Sequence, residues 1–209
     1  APKKQAVVEE KTTTQPKQET ARFRKAANPL VEVDDESKFH VNDEAKGILE
    51  SLKGKICVVS VAGLYRTGKS SLVNFLLEKN EGMQVGPTVR RCTRGIWFWG
   101  EPRRATLPSG EPCWVVVLDT EGLGGLEADQ HYDTRIFSLA TLLCSTLVYN
   151  SLGSIDESAI SNLSFVANLS QHIKVSGEDD ELEFHKFFPS FVWVVRDFAL
   201  DLVDEYSNP

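Results

Sequence analysis

The stretch that most constrains the fold is residues 56–77, ICVVSVAGLYRTGKSSLVNFLL, which joins an apolar, β-branched run to a glycine-rich turn and an apolar helical segment. Within it Gly63, Gly68, Lys69 and Ser70 follow the spacing G-x-x-x-x-G-K-S. Glycines at this spacing let successive backbone N–H groups curl around phosphate, and the following helix points its positive dipole end at the anion. The lysine adds a cation, and the serine hydroxyl is placed for Mg²⁺. The stretch predicts a phosphate-binding loop; the alternative is a glycine-rich turn without a ligand.

Composition restricts the class of protein. The chain has 209 residues, of which 41% are apolar and 25% charged, which is ordinary for a folded domain. Its formal net charge of -7 argues against a nucleic-acid partner, because nucleic-acid binders carry a basic face. The four cysteines are far apart in sequence and form no C-x-x-C pair, so we expect free thiols and a cytoplasmic location.

The two ends of the chain differ in character. Residues 1–29 contain few large apolar groups and many Lys, Gln, Thr and Ala residues, which predicts a flexible N-terminal tail. The tail is mildly basic, so contact with an acidic membrane or partner remains open beside a plain solvated extension. Residues 30–209 are predicted to form one domain. The apolar run 136–148 is shorter than the ~20 residues that span a bilayer, and we expect it to be core helix and strand.

Apolar runs and turn signals divide the domain into alternating elements. The predicted strands are 30–33, 56–62, 96–100, 113–118, 145–149 and 191–195, and the predicted helices open at 42–45 and cover 69–77, 134–143 and 155–173. Residues 80–95 have loop chemistry, and 101–112 read as a hairpin connection. Buried strands that alternate with helices predict a three-layer α/β/α fold with a mostly parallel sheet.

Polar signatures follow three of these strands, and ligands of such sheets bind at the carboxyl ends of the strands. The phosphate loop follows the first, Asp119-Thr120-Glu121-Gly122 follows another, and Arg196-Asp197 follows the last. Asp119 is placed to hold Mg²⁺ through water, and the Gly122 N–H can reach a γ-phosphate. The alternative for Asp119 is a turn cap.

The loop between the phosphate helix and the next strand offers hydroxyls and cations. Thr88 and Thr93 could each place a hydroxyl on Mg²⁺, and the residues alone do not choose between them. Cationic side chains suited to charge on a transferring phosphoryl group are Arg66, Arg90, Arg91 and Arg94. Taken singly, each arginine has the alternative of a plain surface charge.

Five motifs in order carry a specific resemblance. They are GLYRTGKS (63–70), TVRRCTRGIWFW (88–99), LDTEGLGG (118–125), VYNSLGSIDESAI (148–160) and FVWVVRDFALDL (191–202). Together they resemble the large GTPase domain of the guanylate-binding protein family, in the dynamin superfamily, over residues 30–202. The resemblance implies a P-loop NTPase that hydrolyses GTP to GDP with Mg²⁺, with GMP left open as a second product. It also implies activation when two GTPase domains form a homodimer through their nucleotide faces.

The resemblance also implies roles for single residues. Arg66 matches an arginine finger that acts within its own domain after pairing, and Thr93, rather than Thr88, matches the switch threonine. Glu121 matches a glutamate that organises the water network, and Asp197 matches an aspartate that accepts the guanine N–H groups. The implied catalytic set is Arg66, Lys69, Thr93 and Glu121, and the implied Mg²⁺ ligands are Ser70, Thr93 and Asp119. The implied nucleotide-binding set is Gly63, Leu64, Tyr65, Arg66, Thr67, Gly68, Lys69, Ser70, Ser71, Asp119, Gly122, Arg196 and Asp197.

Two departures from the family pattern keep alternatives open. Arg91 stands where family members have a serine, two residues before the switch threonine, that is thought to place the attacking water. The family domain also continues past the Arg-Asp motif, so we expect a domain that is incomplete at its C-terminus, with membrane contact only through regions outside this sequence. The alternatives are a GTP-binding scaffold with little turnover, an atlastin-like membrane-remodelling GTPase, and a P-loop ATPase.

Overall fold

A computed structural model describes residues 23, 25–80, 82–83, 94–123, 130–155, 157, 160–161, 164 and 188–198. Within these residues one eight-stranded sheet carries helices on both faces. The strands are β1 Ala27–Val33, β2 Phe39–Val41, β3 Lys55–Gly63, β4 Ile96–Trp99, β5 Arg103–Thr106, β6 Pro112–Thr120, β7 Thr146–Leu152 and β8 Ser190–Arg196. The helices are α1 Asp43–Ser51, α2 Lys69–Leu76 and α3 Gln130–Leu143.

The strand order is β2-β1-β4-β6-β3-β7-β8, and β5 pairs with β6 beside this path. The core strands β6, β3, β7 and β8 are parallel to one another, while β4 and β5 pair antiparallel with β6, and β1 pairs antiparallel with β2 and β4. The prediction of an α/β fold with a mostly parallel core is therefore confirmed. The parallel pairs place Val61 opposite both Asp119 and Val148, so the carboxyl ends of β3, β6 and β7 meet at one edge of the sheet.

Each face of the sheet has its own apolar core. On one face, Val73 of α2 packs with Val61, Val117 and Val148 of the strands. On the other face, α1 and α3 cover the sheet, and the buried side chains there include Ile48, Phe98, Leu118, Ile136 and Ala140. Burying an aliphatic side chain of this size contributes about 1.5–3 kcal/mol. The predicted three-layer arrangement follows from these two cores.

Helix α1 begins where its sequence predicts. The side chain of Asn42 caps it by accepting a hydrogen bond from the Ala45 N–H at 3.0 Å, and Asp43 and Glu44 lie in the first turn, where the helix dipole favours negative charge. Ala45 and Ile48 are buried on its inner side. The cap and the inner side chains fix both the start of α1 and the face that meets the sheet.

Two short strands were not predicted from the sequence. β5 lies inside the predicted hairpin connection, and all four of its side chains are exposed. β2 has three residues and pairs with β1. The three residues of β2 (FHV) are too few to show a periodic pattern, and β5 (RRAT) has no apolar alternation, so pairing with a neighbouring strand defines both. The predicted helix 155–173 lies largely outside the described residues.

None of the helices that the structure describes is long and apolar enough to cross a bilayer. The apolar run 136–148 instead forms the end of α3 and the start of β7, as predicted.

Candidate functional site

The loop between β3 and α2 has the shape that its glycines predict. Gly68 adopts a left-handed conformation with φ of 77°, and a Cβ there would lie 2.0 Å from Nη1 of Arg196. A Cβ at Gly63 would lie 2.1 Å from the backbone oxygen of Asn150. Larger residues would therefore collide with β7 and β8, so both glycines are required for the loop to pack against these strands.

Lys69 opens α2 and is nearly buried, with 6% of its surface exposed. Its Nζ donates a hydrogen bond to the backbone oxygen of Leu64 at 2.9 Å, across the loop. Burial lowers the pKa of Lys69 to about 8, while the charges of Asp119 and Glu121 act in the opposite direction. Because burial disfavours the charged form of Lys69, a phosphate that binds beside it would stabilise that charge.

Ser70 and Asp119 come together at the edge of the sheet. The Ser70 hydroxyl donates to Oδ2 of Asp119 at 2.6 Å, and Asp119 is 1% exposed. The β3–β6 register brings this carboxylate to the phosphate loop. A hydroxyl and a carboxylate oxygen are hard donors of the kind that Mg²⁺ prefers, so this pair fits the implied ion.

The chain after Asp119 packs directly on the phosphate loop. The Tyr65 N–H donates to the Leu123 oxygen at 2.8 Å, and the Leu123 N–H donates to the Gly63 oxygen at 3.1 Å. Between them, a Cβ at Gly122 would lie 2.6 Å from Cα of Tyr65 and 3.0 Å from Nζ of Lys69. Glycine is therefore required at position 122 for this close approach.

Glu121 is turned away from solvent and is 2% exposed. Its Oε2 accepts hydrogen bonds from the Gly95 N–H at 3.0 Å and from the Tyr132 hydroxyl. Its backbone N–H donates to the Gly95 oxygen at 2.9 Å. Glu121 therefore joins the start of β4 to α3.

The two residues of the Arg-Asp pair point to different surroundings. Nη1 of Arg196 donates to the backbone oxygens of Thr67 and Gly68 at 3.3 and 3.1 Å, beneath the phosphate loop. Asp197 follows the end of β8, is exposed and has a φ of 53°. Arg196 thus holds the loop, whereas Asp197 is presented beside it.

Sequence reasoning missed Asn150, which is fully buried on β7. Its Nδ2 donates to the Thr67 oxygen at 2.7 Å, so it supports the phosphate loop from the same side as Arg196. A polar residue near the end of an otherwise apolar strand was the available signal.

The remaining loop residues lie as follows. Arg66 is exposed with a φ of 63°, and its guanidinium carbon lies 5.8 Å from the centre of the Tyr65 ring. The Thr67 hydroxyl donates to the Leu64 oxygen at 2.9 Å, which tightens the turn. Ser71 is half-buried in the first turn of α2.

The loop that precedes β4 is described only at its end. Thr88, Thr93, Arg90 and Arg91 lie outside the described residues. Arg94 is described, and it bonds the connection between β1 and β2: Nη2 donates to the Asp34 oxygen at 2.8 Å, and Nη1 lies 3.3 Å from Oδ1 of Asp35. The structure thus gives Arg94 an exposed ion pair with the β1–β2 connection.

Comparisons with known proteins agree with this geometry. The family described as "Guanylate-binding protein, N-terminal domain" matches residues 36–208. Guanylate-binding protein 6 from Homo sapiens is 46% identical over 180 residues, which are 83% of this chain and 28% of that protein. Guanylate-binding protein 7 from Mus musculus is 45% identical over 180 residues, 83% of this chain and 27% of that protein. Guanylate-binding protein 2 from Homo sapiens is 45% identical over 169 residues, with coverages of 78% and 28%. The chain thus spans somewhat more than a quarter of the length of these relatives.

Proposed function

This chain belongs to the guanylate-binding protein family, and from that premise we propose that it binds GTP and hydrolyses it to GDP with Mg²⁺. One observation carries the proposal: Lys69, the Ser70–Asp119 pair and Gly122 converge on one glycine-rich loop at the carboxyl ends of parallel strands. That convergence supplies backbone donors, a cation and oxygen ligands around one anion position.

The chain's own groups divide the work of binding. Backbone N–H groups of residues 66–71 bind the phosphates, and Lys69 neutralises their charge. Ser70 and Asp119 would hold Mg²⁺, which supplies charge neutralisation for the transferring phosphoryl group when bound. The Gly122 N–H would donate to the γ-phosphate, and the close packing of Gly122 against Lys69 supports this role. Asn150 and Arg196 keep the loop in the shape that these contacts need.

The finer assignments rest on the family pattern. Asp197 recognises guanine, Thr93 is a further Mg²⁺ ligand, and Glu121 organises the attacking water. Arg66 stabilises transition-state charge after two copies pair through their nucleotide faces, and its exposure in the loop leaves it accessible to such a rearrangement. We further propose a cytoplasmic location, which is supported by the free thiols Cys57, Cys113 and Cys144 in the described part of the chain.

The first test is phosphate release from GTP as a function of protein concentration, with ATP as the control nucleotide. We expect specific activity to rise with concentration and ATP to be ignored. Lys69→Ala should abolish nucleotide binding. Hydrolysis of ATP at the same rate would instead identify a P-loop ATPase and remove the role of Asp197.

A second candidate function is a GTP-binding module with little turnover, and Arg91 is the residue that favours it. If Arg91 displaces the attacking water, GTP binds but phosphate release stays flat at every protein concentration. Arg91→Ser then restores turnover. If Arg91→Ser leaves turnover unchanged, Arg91 does not cause the slow hydrolysis, and the proposal of a GTP-binding module with little turnover loses its support.

A further inference from the structure

We propose that Tyr132 is a positioning residue of the nucleotide site. It fixes the side chain of Glu121, which ties the chain leaving β6 to the chain entering β4. The Tyr132 hydroxyl donates to the Glu121 carboxylate, and it is through this bond that it acts on the site. The inference rests on the proposed GTP binding and adds that Tyr132 supports the contact to the third phosphate, which the diphosphate lacks.

Glu121 is the centre of the arrangement because one of its carboxylate oxygens accepts two donors. Oε2 receives the Gly95 N–H at 3.0 Å and the Tyr132 hydroxyl, in a site where Glu121 is 2% exposed. A buried carboxylate depends on such donors, since removing one leaves a desolvated charge less well satisfied. The Tyr132 hydroxyl therefore fixes where the Glu121 side chain lies.

Tyr132 is itself held rigidly. It is 7% exposed on α3, and its ring stacks on Phe39 of β2 with ring centres 5.7 Å apart and planes 20° apart. The guanidinium of Arg135 lies 4.9 Å from the same Phe39 ring. A donor anchored on both α3 and β2 is suited to setting the position of a neighbour.

Gly95 is fixed from the other side. Its φ is 84°, and a Cβ there would lie 2.0 Å from the Val31 oxygen, so its peptide is pressed against β1. Its N–H and C=O both bond Glu121. The chain entering β4 is thereby tied to the chain leaving β6.

Glu121 connects this support to the site through its next residue. Gly122 lies against Tyr65 and Lys69 of the phosphate loop, so a shift of Glu121 moves the Gly122 N–H relative to Lys69. That N–H is the group placed for a γ-phosphate, which GTP has and GDP lacks. Loosening Tyr132 should therefore weaken GTP binding and leave GDP binding nearly unchanged.

The experiment compares Tyr132→Phe, Glu121→Gln and the double variant with wild type, using GDP and a non-hydrolysable GTP analogue as probes. Tyr149→Phe is the matched control, because it removes a hydroxyl from another buried tyrosine that packs on Trp193 instead. We expect Tyr132→Phe to weaken binding of the GTP analogue about tenfold and of GDP by less than about twofold, since the lost hydrogen bond is to a charged group. The double variant should bind the analogue as Glu121→Gln does, because both changes act through one carboxylate.

A second measurement needs no nucleotide. Hydrogen exchange of the Gly95 amide should be about tenfold faster in Tyr132→Phe than in wild type or Tyr149→Phe, since the acceptor of that N–H is no longer held. Tyr132→Phe keeps the ring that stacks on Phe39, so we expect it to fold; if it does not, Glu121→Gln carries the exchange measurement and should speed Gly95 exchange.

The outcomes separate the two proposals. If wild type binds neither probe, the proposed function fails. Hydrogen exchange of the Gly95 amide still tests whether Tyr132 holds Glu121 against Gly95. If wild type binds both probes but Tyr132→Phe keeps the wild-type ratio of the two affinities and the wild-type exchange rate, the positioning role is overturned. Equal losses of GDP and analogue binding would also overturn it, because they indicate a general structural effect.

Discussion

At the scale of single residues, the buried ammonium group of Lys69 serves nucleotide binding but lowers the stability of the nucleotide-free protein. Lys69 lies in a nearly water-free position, and burial lowers its pKa to about 8. The free protein therefore holds the charged form of this lysine at a cost, which an arriving phosphate would offset.

We predict that Lys69→Met separates these two effects. Methionine keeps the unbranched side chain and removes the charge, so nucleotide binding should be lost. The free energy of unfolding without nucleotide should rise by about 1 kcal/mol, because a desolvated cation has been removed. Titration calorimetry with GTP and chemical denaturation measure the two quantities; a variant that neither binds nor folds as stably as wild type would contradict the account.

Cys144 provides a pH-dependent prediction outside the site. Burial raises the pKa of this thiol from 9.0 to about 11, and its Sγ lies 3.5 Å from the Thr141 oxygen. The unfolded chain releases the proton near pH 9 and the folded protein only near pH 11, so the contribution of Cys144 to stability is complete below pH 9 and lost as pH rises to 11. Cys144→Ala should flatten the fall of the free energy of unfolding between these values, as measured by chemical denaturation at a series of pH values.

The phosphate-loop residues were identifiable from sequence because spacing alone defines that loop. Asn150 and Tyr132 were not, since each acts through a side-chain hydrogen bond to a residue on another element: Thr67 for the asparagine and Glu121 for the tyrosine. A sequence pattern records which residue types stand close in sequence, and it does not record which buried donors meet across a sheet.

At the scale of elements, the long buried strands were predictable and the short ones were not. β3, β6 and β7 carry apolar runs of the kind that is buried in a sheet covered on both faces, and β8 carries the apolar run FVWVV although its side chains are exposed or half-buried. β2 and β5 are only three and four residues long, and each is a strand because its backbone pairs with a longer one, β1 and β6 respectively. The long strands are therefore predictable from their apolar runs, whereas β2 and β5 depend on tertiary contacts.

The start of α1 gives a prediction at this scale. Asn42 supplies the cap by accepting from the Ala45 N–H, and Asn42→Ala should cost about 1 kcal/mol of stability. Asn42→Ser is the matched variant, because a serine hydroxyl can accept from the same N–H, and it should cost only a few tenths of a kcal/mol. Urea denaturation measures both; an unchanged free energy of unfolding in Asn42→Ala would show that the cap contributes nothing here.

At the scale of the whole molecule, the proposed GTP hydrolysis is expected to depend on pairing with a second copy of the chain. Arg66 is exposed, has a left-handed backbone conformation and lies beside Tyr65 on the phosphate loop. We infer that such an arginine turns toward transition-state charge when two nucleotide faces pair, which is the rearrangement that the family pattern implies.

We therefore predict that Arg66→Ala lowers kcat about a thousandfold or more while GTP affinity stays within about threefold. Its activity should no longer rise with protein concentration, although light scattering should still detect GTP-dependent pairing. Arg66→Lys is the control for charge: a lysine keeps the cation but loses the planar, multiply donating guanidinium, so it should restore little of the rate. Wild-type turnover in Arg66→Ala would rule out the finger assignment. A variant that no longer pairs would show that Arg66 acts at the interface between copies rather than on the phosphoryl group.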